Sequence, residues 1–99
     1  MTEAKTDRKP IQFAVIQDGF ALFGAGHSYA AAVEDAAEWM EDADGRQGGM
    51  TVDQVDDIIG KPDKAYGSFR VIDKDHPEFA SYLRHNGGFT EINGAWYAD

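Results

Sequence analysis

Apolar residues recur along this chain with two different spacings. In IQFAVIQ, Ile11 to Gln17, and FALFG, Phe20 to Gly24, they crowd into runs of strand length joined by Asp18-Gly19. Asp-Gly between apolar runs predicts a hairpin with a type I′ turn, whose two central residues need positive φ. A two-residue turn sets Val15 opposite Leu22 and puts Phe13, Val15, Phe20 and Leu22 on one core-facing side. From Tyr29 the spacing becomes helical. Ser28 is placed to cap a helix running to about Ala43, in which Tyr29, Val33, Ala36 and Met40 face the sheet and Ala32 and Ala37 allow close approach.

The rest of the chain carries its own punctuation. Asp44 to Gly49, DGRQGG, reads as a flexible loop. Thr51 and Gln54 form a capping-box pair opening a short helix with Val52, Val55, Ile58 and Ile59 apolar and Gly60 as its stop. Pro62 separates it from a strand near Ser68 to Ile72. Asp75, with Pro77 and Glu78 behind it, predicts the start of a third helix that buries Phe79, Tyr82 and Leu83 and ends at Asn86-Gly87. GFTEI and AWYA, joined by Asn93-Gly94, predict a second hairpin. The order ββααβαββ points to an α+β fold, an antiparallel sheet with helices packed on one face. Residues 1–10 read as a loose arm and 11–99 as one domain.

Composition narrows the class. With 99 residues the chain has room for one core, and 42% hydrophobic residues, 12 of them aromatic, suit a folded domain. The chain has no cysteine, so a disulfide framework and a thiolate metal site are excluded, which fits a reducing compartment. MTEAKTDRKP has no apolar run, and no stretch approaches the length of a membrane span. The expectation is a soluble, cytoplasmic protein without membrane contact.

Motifs with chemical content are weak. Gly24-Ala25-Gly26 follows a strand and precedes a helix, but Tyr29 stands where a phosphate-cradling loop needs its third glycine, so a tight turn is the better reading. Laid on a calcium loop, Asp42, Asp44 and Gly45 fall in register while Met40 and Thr51 occupy two essential ligand positions. A metal-binding domain, or an enzyme using the acidic cluster, is therefore a minor alternative. His27, His76 and His85 lack metal-ligand spacing, and no nucleophile-elbow sequence accompanies Ser28 or Ser68. No catalytic residue and no cofactor are assigned, and the chain is not expected to be an enzyme.

Charge changes the picture most. From Glu34 to Asp57 stand nine acids and one base, Arg46, a local charge of −8 out of −9 for the whole chain. Direct nucleic-acid binding, which depends on Lys and Arg, is disfavoured. On an unbroken helix Glu34 and Asp35 neighbour Glu38, which neighbours Glu41 and Asp42, and these like-charge contacts cost on the order of 1 to 2 kcal/mol together. Solubility needs net charge, not its concentration on two adjacent helices, and Trp39 lies inside the run, where a large aromatic beside carboxylates can serve as a binding anchor. The partner-binding candidates are Glu34, Asp35, Glu38, Trp39, Glu41, Asp42, Asp44, Asp53, Asp56 and Asp57. Carboxylates in a row imitate strand phosphates closely enough to attract a basic nucleic-acid-binding groove. That reading requires Arg46, Lys61 and Lys64 to leave them unneutralised.

Two resemblances follow from these residues. The run Glu34 to Asp44 with Asp53, Asp56 and Asp57, in a small cysteine-free α+β chain, resembles the acidic anti-CRISPR proteins of phages and mobile elements. The likeness is one of character, and it implies an inhibitor that mimics nucleic acid toward a CRISPR effector complex. The stretch FAVIQDGFALFGAGHSYAAAVEDAAEWM is similar to the antitoxin lobe of HicB-type proteins, although the proline-rich segment before the turn and a DNA-binding tail are missing. That likeness implies an antitoxin that neutralises a small basic RNase toxin.

Overall fold

The structure, a computed structural model, describes residues 9–19, 21–42, 44–60 and 69–99. The expected class and element order are present. The elements are β1 (Phe13–Gln17), β2 (Ala21–Gly26), α1 (Tyr29–Trp39), α2 (Val52–Gly60), β3 (Phe69–Asp73), α3 (Phe79–Asn86), β4 (Phe89–Ile92) and β5 (Ala95–Ala98). The strands form two antiparallel sheets, one of order β2-β1-β3 and the other a β4-β5 hairpin. No helix among the described residues is long and apolar enough to cross a membrane.

The helices are divided between the two faces of the larger sheet, where the sequence pattern had put them on one. On one face Val15 and Phe69 pack with Ala32, Val33, Ala36 and Met40 of the α1 region and with Val55 of α2. On the other, Ala14, Ile16, Leu22 and Ile72 pack with Phe79 and Leu83 of α3 and with Trp96 of β5. The reason lies in β1, where Phe13, Ala14, Val15 and Ile16 form an unbroken apolar run. Alternate side chains of a strand point to opposite faces, so such a run has two faces to cover.

The first hairpin departs from the expected register. Gln17 pairs with Ala21, Ile16 with Leu22 and Val15 with Gly24, so Phe23 is an extra residue in β2. Gly19, at φ 68°, takes the positive-φ position. Leu22 consequently lies opposite Ile16 rather than Val15. The bulge also restarts the alternation: Leu22 joins the α3 side, while Phe23 joins the α1 side with its ring 5.3 Å from that of Phe69. Phe20, the remaining member of the expected face, lies outside the described residues. The second hairpin has the expected two-residue turn, with Ile92 paired to Ala95 and positive φ at both Asn93 and Gly94.

The glycines before α1 serve close packing. A Cβ on Gly24 would overlap the backbone of Ala32 and Ala36, and one on Gly26 would lie 2.7 Å from the Ala31 side chain. Helix and strand therefore meet at backbone distance. Ser28 caps α1 as expected, its hydroxyl accepting from the Ala31 N–H at 3.1 Å. Tyr29 does not enter the core: it is 44% exposed. Its hydroxyl donates to Asp56 on α2 at 2.8 Å.

Helix α1 stops at Trp39, short of the expected Ala43, which is itself outside the described residues. Met40 is already extended at φ −77°, ψ 143°. Beyond it the chain turns back through the Met40 carbonyl, which accepts from Gly48 N–H at 3.0 Å, and a bridge between Glu41 and Gln47. The stretch read as a flexible loop is thus a hydrogen-bonded turn centred on Asp42.

Helix α2 opens with the expected reciprocal cap, Thr51 N–H to Gln54 Oε1 at 2.8 Å and Gln54 N–H to Thr51 Oγ1 at 3.2 Å. Val55 is buried, but Val52 is 41% exposed. Strand β3 runs one residue beyond Ile72, and the expected first residue, Ser68, lies outside the described residues, as does Pro62. The third helix begins at Phe79 rather than after Asp75. Residues 74–78 form turns in which Asp73 accepts from Asp75 N–H and His76 Nδ1 accepts from Glu78 N–H, so side chains satisfy donors that a helix start would have left open. Tyr82 is half-buried, and its hydroxyl accepts from Gly19 N–H at 2.9 Å.

Candidate functional site

The acids of residues 34–57 do not behave as one group. Glu34 and Glu38 project from the exposed side of α1, and Glu41 is exposed just beyond it. Among the described residues these three form no ion pair. Asp35 turns toward the sheet, where its carboxylate accepts from Ala25 N–H at 3.0 Å. Because the helix ends at Trp39, Glu41 and Asp42 are not helical neighbours of Glu38, and the expected like-charge cost shrinks to the pairs Glu34–Glu38 and Asp35–Glu38.

Asp42 builds its own turn. One carboxylate oxygen accepts from the N–H groups of Asp44 and Arg46, each at 2.9 Å, and the other lies 3.3 Å from Arg46 Nε. The hydrogen bond from Arg46 N–H is the main cause that holds the Asp42 pKa below the usual carboxylate value; the Asp44 N–H and the guanidinium act in the same sense, and burial opposes them. A lowered pKa in the folded state contributes stability that is present at neutral pH and is lost as pH falls through the lowered value. Arg46 also stands 4.0 Å from Asp44. Arg46 thus partly neutralises two of the ten candidates, and Lys61 and Lys64 lie outside the described residues.

On α2, Asp53 is exposed in the first turn, where a carboxylate favours the helix dipole. Asp56 accepts from the Tyr29 hydroxyl, and Asp57 is exposed. The ten candidates therefore divide. Asp35, Asp42 and Asp56 are engaged in holding α1, the turn and α2 in place. Glu34, Glu38 and Glu41 present charge to solvent. Among the described residues no group of three His, Asp or Glu side chains converges to hold a metal ion.

Trp39 is the most exposed large apolar side chain among the described residues, at 58%. It stands between two grooves. One, of about 550 Å³, is lined by Leu22, Phe23 and Ala25 of β2, by Asp35 and by Gly87, Gly88 and Phe89. The other, of about 670 Å³, lies where α1 ends, with Phe23, Met40, Met50, Ile58 and Phe69 among its apolar lining. Glu41, Asp42 and Asp57 also line this second groove, and Gln17 and Gln54 supply amides. Trp96, the other tryptophan, is 7% exposed and belongs to the core.

Sequence reasoning found the acids and Trp39 but missed the groove. Its floor depends on the Phe23 bulge and on the chain turning at Met40, and neither has a local signature. Comparison of the chain with protein-family models, with curated protein sequences and with solved structures finds no match to any of the three.

Proposed function

We propose that this protein is an acidic, protein-binding inhibitor that covers a basic nucleic-acid-binding surface of a partner, acting as a nucleic-acid mimic in the manner of anti-CRISPR proteins. The observation that carries the reading is that Glu34, Glu38 and Glu41 are all exposed, without an ion pair among the described residues, and that Trp39 is 58% exposed. Carboxylates left to solvent give up local stability that lysines would have supplied, and they generate a field that steers a cationic surface toward the protein. A partner whose groove normally holds phosphates meets the same sign of charge here.

The test is capture from a lysate of the source cell at low salt, using the immobilised chain and a triple variant, Glu34→Gln, Glu38→Gln and Glu41→Gln, that keeps Asp35 and Asp42. The reading expects a nucleic-acid-binding protein, such as a CRISPR effector complex, to be retained by the wild type, released by rising salt, and lost from the triple variant. A small basic RNase in its place would fit the antitoxin-type alternative, with the same acidic face and a different target. Equal capture by both proteins would remove the acidic face from the account.

A further inference from the structure

We infer that the groove beside Trp39 receives an apolar side chain of the partner flanked by lysine or arginine, so that this groove governs dissociation while the outer carboxylates govern association. The inference rests on the reading that the acidic face meets a basic protein surface. A pure phosphate mimic needs charge on a convex face and no apolar cleft. Here the acid-bearing end of α1 adjoins a groove of about 670 Å³ with Met50 and Ile58 half-buried in its wall and Trp39 largely in solvent. Glu41, without an ion pair among the described residues, lines the same groove, so an apolar group seated there has a carboxylate beside it. Charge complementarity therefore selects an occupant with cations beside its apolar side chain, and disfavours a neutral or acidic segment.

The two regions contribute to different rate constants. Exposed, solvated charges chiefly raise the encounter rate and are screened by salt, whereas an aromatic buried at the interface chiefly slows escape. Glu34 and Glu38, on the outer side of α1, are not part of the groove lining; Trp39 is. The structure thus separates the two contributions by position.

Two synthetic probes test this: an amphipathic helix with leucine on one face and lysine on the other, and an oligolysine of equal charge. The amphipathic peptide is expected to bind about 10-fold more tightly and to shift Trp39 emission to the blue, a shift absent in Trp39→Phe. Trp39→Ala is expected to speed its dissociation about 10-fold while changing association by no more than about 2-fold, and Glu34→Gln with Glu38→Gln to do the reverse at low salt. Circular dichroism of each variant checks the fold. Equal affinity of the two probes, or a shift that persists in Trp39→Phe, overturns the groove and leaves the acidic-face reading standing if both probes still bind. Failure of both probes to bind at low salt overturns the acidic-face reading and the groove with it.

Discussion

The Asp35 carboxylate accepts a hydrogen bond from the Ala25 N–H at 3.0 Å on β2, an edge strand of the larger sheet among the described residues. An edge strand otherwise offers its unpaired N–H groups to other chains, so this acid both fastens α1 to the sheet and blunts the edge. Asp35→Ala should cost about 1 to 2 kcal/mol, because the bond has a charged acceptor. Asp35→Asn, which keeps an acceptor oxygen, should cost less than half of that. Thermal unfolding followed by circular dichroism measures both, and light scattering should show more self-association for the alanine variant.

Gly24 lies against the backbone of Ala32 and Ala36. No side-chain rearrangement can make room for a methyl group there, because the overlapping atoms are main chain. Gly24→Ala should destabilise the domain by about 3 kcal/mol, the upper part of the overpacking range. Gly45→Ala, at a position with open space but φ 80°, should cost only its backbone strain, about 1 kcal/mol. Urea denaturation of the pair separates steric overlap from strain.

Glu38 occupies the last turn of α1, which has no basic residue, and lies four residues from Glu34. Glu38→Lys turns a like-charge pair into an attractive one and favours the helix dipole, so it should stabilise the protein by about 1 kcal/mol, roughly 4 to 8 °C in Tm. The same substitution should weaken partner binding. A variant that melts higher and binds less tightly is the signature of charge kept for recognition.

The Tyr29 hydroxyl has its pKa raised, first by its hydrogen bond to Asp56, then by burial and by the Asp56 charge. A value above the unfolded one means that the contribution to stability is fully present below about pH 10 and is lost as pH climbs through the raised value. Tyr29→Phe should therefore cost about 0.5 kcal/mol at pH 7, discounted for the solvent exposure of the pair, and progressively less above pH 10. Chemical denaturation of both proteins across that range reads the difference.

Most of the element order was legible because its signals are local. Ser28, the Thr51–Gln54 box and Asn93-Gly94 each work within a few residues, and each appears in the structure as read. The division of helices between two faces was also written in FAVI, whose continuous apolar character signals a strand buried on both sides. What stayed hidden depends on long-range pairing. The Phe23 bulge follows from matching Leu22 to Ile16 while Gly24 stays under α1, and no two-residue turn rule contains that requirement. The helix end at Trp39 was missed because Asp42 looked like one more helical acid, while its carboxylate binds the turn that replaces the helix. The acidic character of the site was legible, but which carboxylates are engaged in structure was not.

Mimicry of nucleic acid requires that bound protein and bound nucleic acid exclude each other on the partner. The partner captured at low salt is loaded with labelled nucleic acid, and the released fraction is followed by fluorescence anisotropy as this protein is titrated in. Stoichiometric release is predicted, weakening on adding salt and lost in the variant carrying Glu34→Gln, Glu38→Gln and Glu41→Gln. A partner that keeps its nucleic acid while saturated with this protein would contradict it.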